Sequence, residues 1–169
     1  MRSIGFDPGK HAGWTALELP RAGARANLLG RGILSRGIAD GIDHRVEEAL
    51  ELMLRFEIDL VGVEAVDFVV GRKGFGPNMA GHLMRAARLG ARIYQVALDH
   101  GFAAENVTAE LWRRWLVGSP QADNPAIAAT MRVRIADGSS RSNNHERDGS
   151  GVALFVAERA LRRARGLPV

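Results

Sequence analysis

The sequence has no cysteine, only two lysines, and no apolar run long enough to span a membrane. The missing thiols exclude disulfides, thiolate zinc sites and cysteine nucleophiles, and they fit a reducing compartment. Pro, Gly or a charged residue interrupts every apolar stretch, and no charged-then-apolar leader opens the chain. We therefore expect a cytoplasmic protein that is neither secreted nor embedded in a membrane.

The length and composition are those of a globular domain. The chain has 169 residues, and we expect residues 1–169 to form a single domain. Apolar residues make up 46% and charged residues 25%, which is typical of a soluble protein. The formal net charge is +4, carried almost entirely by arginine. Arginine suits phosphate contacts, but genome base composition produces the same skew, so the charge alone does not identify a nucleic-acid-binding protein.

The pattern of apolar residues predicts an α/β domain. Three short runs near the start predict an antiparallel meander, and a nearly continuous apolar run predicts a central strand that is covered on both faces. We expect strands at 2–6, 13–19, 28–34 and 58–66, and a short one near 106–109. Helical spacing predicts helices at 40–56, 78–100, 125–135 and 145–165, with a helical turn around Trp112 and Trp115.

Three acidic residues occupy positions where soluble proteins seldom place them. Asp7 ends an apolar strand, Glu64 lies inside another, and Asp148 lies near the start of an amphipathic helix. An unpartnered buried carboxylate is costly, so a bound metal ion is the economical explanation. If the first and fourth strands are neighbours, they lie about 4.8 Å apart and the two acids can share an ion.

Each acid also has a simpler interpretation. Asp7 begins an Asp-Pro-Gly sequence, which is common in plain turns. Glu64 would point to water if its strand were at an edge, although the surrounding Leu60, Val61, Val63 and Val66 argue against that. Asp148 could simply interact with the helix dipole.

His145 precedes Asp148 by three positions, so the two side chains leave the same face of a helix. Both could therefore ligate or orient a group at one point. The alternative is that His145 is an idle surface histidine and the adjacent Glu146 is the relevant acid. The conjunction of Asp7, Glu64, His145 and Asp148 favours the first interpretation.

Four segments in order resemble the RuvC-type Holliday junction resolvases: "IGFDPGKHAGWTAL", "LVGVEAV", "NMAGHLMRAARLGARIYQVA" and "NNHERDGSGVALFVAERAL". The resemblance covers essentially the whole chain. It implies a ribonuclease-H-like fold with a central five-stranded mixed sheet flanked by helices, and a homodimer that makes paired nicks across a four-way DNA junction. It also implies branch-migration proteins as partners, and two Mg²⁺ or Mn²⁺ ions held by the catalytic residues Asp7, Glu64, His145 and Asp148.

The resemblance also directs attention to residues that would contact DNA. A glycine-rich loop with aromatic and basic residues resembles the family's wedge at the crossover, and Phe75 is preferred over Phe68 as the wedge. Between about 117 and 142 the chain lacks the lysines common in bacterial members, so an arginine is expected to replace them. The expected DNA-binding residues are Phe68, Arg72, Lys73, Phe75, Arg85, Arg88, Arg113 and Arg141, with Arg114 as a further candidate.

Two other functions remain open from the sequence. The segment "IGFDPG" also resembles the first phosphate loop of actin-like phosphotransferases, but the chain lacks the second glycine-rich loop and the second domain that those enzymes need. A protein that binds junctions without cutting them is the non-enzymatic alternative.

Overall fold

The computed structural model describes residues 1–35, 42–66, 77–136 and 143–168. The strands are β1 (Arg2–Asp7), β2 (Gly13–Glu18), β3 (Asn27–Ile33), β4 (Leu60–Ala65) and β5 (Ala103–Thr108). The helices are α1 (Ile42–Arg55), α2 (Pro77–Asp99), α3 (Ala109–Val117), α4 (Asn124–Arg134) and α5 (Asn144–Ala164). No helix in these ranges is both long enough and apolar enough to cross a membrane.

The five strands form one mixed sheet in the order β3-β2-β1-β4-β5. Strands β1, β2 and β3 pair antiparallel, as the expected meander requires, whereas β4 runs parallel to both β1 and β5. The predicted fold class, a ribonuclease-H-like domain with a central five-stranded mixed sheet, is confirmed, and the first and fourth strands are neighbours.

Helices cover both faces of the sheet because its central strands are apolar on both sides. Ile4 and Phe6 face α1 and α2, where they pack with residues such as Ile93. The opposite face packs against α3, α4 and α5, with Leu60 and Trp112 in that core. The central strands therefore lie between two helical layers.

Helix α5 approaches the sheet closely through paired glycines. A Cβ on Gly5 would overlap the carbonyl oxygen of Gly149, and a Cβ on Gly13 would overlap the backbone of His145. Thr15 Oγ1 donates to the carbonyl oxygen of Glu146 at 2.8 Å, which fixes the first turn of α5 against β2. These contacts set the distance between the start of α5 and the ends of β1 and β4.

Two predicted elements differ from the structure. The sequence predicts the fifth strand at 106–109, but it spans Ala103–Thr108, because its parallel pairing with β4 begins at Leu60 and extends the strand toward its amino end. The predicted helical turn is the nine-residue helix α3, which Thr108 caps at its start and Gly118 ends in a left-handed conformation. The expected glycine-rich loop at 71–76 lies outside the described residues.

Candidate active site

The carboxyl ends of two parallel strands bring two acids together. Asp7 is the last residue of β1, and Glu64 stands one residue before the end of β4. The register pairs Phe6 with Val63, so Asp7 and Glu64 follow as neighbours at the same edge of the sheet. Helix α5 then places His145 and Asp148 over that edge.

His145 and Asp7 are directly bonded. The Nδ1 of His145 donates to Oδ2 of Asp7 at 2.7 Å, with the imidazole 38% and the carboxylate 15% exposed. This hydrogen bond raises the pKa of His145, although burial opposes the shift. The ring of His11 lies 5.7 Å from that of His145, so the β1–β2 connection also borders the site. His145 thus lies in the cluster and is bonded to Asp7.

Among the residues that the structure describes, the carboxylate of Glu64 has one hydrogen-bond donor, the indole of Trp112. The Nε1 of Trp112 donates to Oε2 of Glu64 at 3.0 Å. Burial, with added repulsion from Asp7 and Asp148, raises the pKa of Glu64 to about 8. The charged form is therefore poorly stabilised by the protein alone.

Asp148 is also incompletely satisfied. Its Oδ2 accepts from Nη2 of Arg113 at 3.2 Å, whereas its Oδ1 is buried and has no hydrogen-bond partner in the described part of the chain. Burial and the charge of Asp7 raise the pKa of Asp148 to about 6, with Arg113 acting in the opposite direction. A buried carboxylate oxygen without a donor is the kind of atom that a bound cation satisfies.

The donor set fits a divalent cation, but the side chains do not yet converge on one point. Within residues 1–35, 42–66, 77–136 and 143–168, no three His, Asp or Glu side chains are placed to hold an ion together. Asp7, Glu64 and Asp148 are each turned toward a donor of the protein: His145, Trp112 and Arg113 respectively. Carboxylate oxygens are nevertheless the ligands that Mg²⁺ and Mn²⁺ prefer, and a cation would relieve their mutual repulsion.

The sequence left open that Glu146, and not His145, is the relevant residue. In the structure, the side chain of Glu146 is bonded to the start of its own helix. Its side chain accepts from the backbone nitrogen of Asn143 at 3.1 Å, and its own backbone nitrogen donates to Oδ1 of Asn143 at 2.9 Å. This reciprocal pair is a capping box at the start of α5. Glu146 therefore stabilises the helix that carries His145 and Asp148.

The expected DNA-binding residues are distributed unevenly. Arg85 and Arg88 are exposed on α2, as a phosphate contact requires. Arg113 instead lies inside the acidic cluster beside Asp148, and its guanidinium is stacked on Trp112 at 5.1 Å. Lying outside the described residues are Phe68, Arg72, Lys73, Phe75 and Arg141.

Sequence reasoning missed the role of Trp112, which is fully buried and bonded to Glu64. One feature of the sequence could have pointed to Trp112. It lies in an amphipathic helix that directly follows β5, the strand beside β4. Only the packing of α3 on the sheet shows that its Nε1 points at a carboxylate.

Among the comparisons with known proteins, the one with solved structures finds similar proteins. No protein-family model matches the chain, and no curated protein matches it. Among solved structures, Thermus thermophilus RuvC in complex with Holliday junction substrate has a TM-score of 0.75 at 21% identity, over 95% of this chain and 97% of that one.

Two more distant solved structures have the same fold. The yeast mitochondrial Holliday junction resolvase Ydc2 has a TM-score of 0.57 at 13% identity, over 97% of this chain and 81% of that one. The fowlpox virus resolvase, solved with Holliday junction DNA, has a TM-score of 0.56 at 10% identity, over 93% of this chain and 99% of that one. The resemblance to RuvC-type resolvases is thus confirmed at the level of the fold.

Proposed function

We propose that this protein is a divalent-metal-dependent endonuclease that resolves four-way and other branched DNA junctions by paired nicks. The observation that carries the proposal is the cluster of Asp7, Glu64 and Asp148, whose charges the protein leaves incompletely compensated. The shared fold of three solved Holliday junction resolvases supports the choice of substrate.

The four clustered residues have distinct tasks in this proposal. Asp7, Glu64, His145 and Asp148 would hold Mg²⁺ or Mn²⁺, and two such ions would stabilise the attacking and leaving oxygens of a phosphodiester. Because His145 donates to Asp7, it orients that carboxylate and can move a proton beside it. Trp112 and Arg113 hold Glu64 and Asp148 in place from the side of α3.

DNA binding in this proposal uses the surface next to the cluster. Exposed Arg85 and Arg88 on α2 would contact phosphates, which position a duplex without reading its sequence. Lying outside the described residues, Phe68, Arg72, Lys73, Phe75 and Arg141 keep their expected role as a proposal. Phe75 remains the preferred wedge at the crossover.

A two-fold dimer through α2 would match the two equivalent strands that a junction presents. Met84 and Leu98 are 49% and 42% exposed on this helix, and a Cβ on Gly81 would meet open space. The exposed apolar side chains and the open position at Gly81 suit contact of this helix with a second copy. Sedimentation should therefore give a dimer at micromolar concentration, and a monomer that makes full paired nicks would contradict this arrangement.

The deciding experiment is nicking of a labelled four-way junction in Mg²⁺, with binding measured in parallel. Wild type should nick, and Glu64→Gln should bind the junction but leave it intact, because phosphate contacts are separate from the chemistry. Glu110→Gln, an exposed acid-to-amide change on α3, is the matched control and should nick as wild type.

Other outcomes distinguish the alternatives. A wild-type protein that binds junctions but nicks none under either metal would be a junction-binding protein without catalysis. ATP hydrolysis without nicking would favour the actin-like phosphotransferase. Normal nicking by Glu64→Gln would remove Glu64 from the site.

A further inference from the structure

A concave region lies between α3 and α5. Its volume is about 450 Å³, and Leu111, Trp115 and Phe155 form its apolar lining. The lining residue of α5 nearest to Asp148 is Phe155, about 10 Å along the helix axis at 1.5 Å per residue. None of the four residues of the candidate active site lines the pocket, so the pocket is a separate surface.

The apolar part of the pocket is formed by aromatic side chains that pack against each other. Trp115 and Phe155 meet edge to face, with ring centroids 5.5 Å apart and an interplanar angle of 73°. Leu111 lies at the margin and is 41% exposed, whereas Trp112 and Leu116 of the same helix are buried. At about 450 Å³, the hollow is more than large enough for one aromatic or large aliphatic side chain.

Four arginines surround this hollow. Arg159 and Arg163 both pair with Glu105, at 3.3 and 3.0 Å, and Arg162 pairs with Glu158 at 3.1 Å. The fourth, Arg114, is exposed and forms no ion pair with any residue that the structure describes. The rim consequently has more positive than negative charge, and Arg114 is available to an incoming anion.

We propose that this pocket binds an acidic peptide segment of a partner protein, which inserts one aromatic or large aliphatic side chain between α3 and α5. The carboxylates beside that side chain would pair with Arg114 and with the outward N–H groups of Arg159 and Arg163. Charge complementarity thus supplies orientation, while the buried side chain supplies most of the contact area.

The same pocket suits a single nucleic-acid strand less well. Sequence-tolerant strand binding depends on exposed aromatic faces on which bases stack. Here Arg134 covers one face of Trp115 at 5.3 Å and Arg159 covers one face of Phe155 at 5.7 Å. Since the two rings also meet edge to face, they offer no pair of parallel platforms for successive bases.

The test is fluorescence anisotropy of the full-length protein with a labelled peptide in which one Phe is flanked by several Asp residues. We expect saturable binding that weakens about tenfold when the peptide Phe is replaced by Ser or its Asp residues by Lys. Arg114→Glu and Leu111→Ser should each weaken binding by a similar factor. Arg114→Gln provides a milder second variant if charge reversal affects folding, which thermal melting will check.

The matched control is Arg55→Glu, which makes the same charge change at an exposed position of α1, on the opposite face of the sheet. It should leave peptide binding unchanged. An absence of peptide binding, or equal loss in Arg55→Glu and Arg114→Glu, would overturn the proposal. So would a labelled oligothymidylate that binds more tightly than the peptide and shows the same dependence on Arg114 and Leu111, because the pocket would then belong to the DNA-binding surface.

Discussion

Helix α5 carries one buried carboxylate and one partly buried carboxylate, and their electrostatic situations are opposite. Near its carboxyl end, Glu158 is 1% exposed and accepts from the backbone nitrogen of Gly23 through both oxygens at 2.9 Å. Arg134 and Arg162 pair with it at 3.4 and 3.1 Å. Near the amino end, Asp148 has one partner, Arg113, and one buried oxygen with no donor in the described part of the chain.

The difference is that the fold itself satisfies Glu158 but leaves Asp148 short of donors. Glu158 is satisfied by the protein itself, and it ties the turn at Gly23 and helix α4 to α5. Asp148 lies beside Asp7 and Glu64, so the protein brings three like charges together and supplies too few donors for them. Such an arrangement costs stability and is retained where a cation or substrate completes it.

The largest expected effect is a difference in nicking rate between variants of Asp148 and Glu158. Asp148→Asn should lower junction nicking by at least about 100-fold, the loss typical of one preorganised electrostatic contact. Glu158→Gln should nick at a rate close to wild type, because its partners lie far along α5 from the cluster. Single-turnover nicking in Mg²⁺ with enzyme in excess measures both. Equal losses of nicking rate in the two variants would contradict the different roles given to Asp148 and Glu158.

The second effect is a change with pH in the stability of the metal-free protein. Glu64 and Asp148 have pKa values raised to about 8 and about 6, so the folded state retains protons that the unfolded chain releases. The stability that these two groups contribute should therefore be fully present below about pH 4 and be lost as the pH rises to about 8. A tenfold difference in proton affinity between the folded and unfolded states corresponds to about 1.4 kcal/mol, so the loss should reach several kcal/mol.

Urea unfolding across that pH range, in the presence of a chelator, measures the loss. Glu64→Gln should be more stable than wild type at pH 8, and the slope with pH should be shallower. Added Mg²⁺ should reduce the same slope in the wild type, since a bound cation stabilises the charged carboxylates. A stability that rises with pH in the chelated wild type would refute this account of the cluster.

The sequence predicted the framework of this cluster well. The apolar runs around Asp7 and Glu64 predicted buried strands, and in the structure these two strands are neighbours in the sheet. The three-residue spacing of His145 and Asp148 predicted one helix face, and both reach the same group of carboxylates. These features depend on local periodicity, which a single sequence displays.

The partners of the acids could not be predicted in the same way. The bonds from Trp112 to Glu64 and from Arg113 to Asp148 join residues that are far apart in the chain, and only the packing of α3 decides them. Glu158 was missed although a signal existed. It follows the buried Leu154 at helical spacing, so it stands on the apolar face of α5, where a carboxylate needs partners.

The third effect concerns stability at Glu158. Glu158→Gln should lower the free energy of unfolding by about 2 kcal/mol, because hydrogen bonds to a charged acceptor are replaced by weaker ones and two arginines lose their counterion. Asp148→Asn should leave stability in chelator unchanged or raise it, since it removes a like charge. Chemical denaturation at neutral pH compares them, and a greater loss in Asp148→Asn would reverse the assignment of roles.

The smallest expected effect is a change in the preference for Mn²⁺ or Mg²⁺ when His145 is substituted. Imidazole is a softer ligand than carboxylate and favours Mn²⁺ over Mg²⁺ relative to an all-oxygen site. Wild type should therefore nick in Mn²⁺ at least as fast as in Mg²⁺. His145→Asp should stay active and shift the ratio of the two rates toward Mg²⁺ by a few-fold, whereas His145→Ala should be slow in both, because Asp7 loses its hydrogen-bond partner.

The matched control for His145 is its neighbour, Glu146. Because Glu146 caps α5 and does not contact Asp7, Glu146→Gln should weaken the helix start slightly and leave the ratio of rates in the two metals unchanged. The comparison needs single-turnover nicking of one junction by all four proteins in each metal. If His145→Ala nicked as wild type in both metals while Glu146→Gln were inactive, the acid at the amino end of α5 would act through Glu146, and the role given to His145 would be wrong.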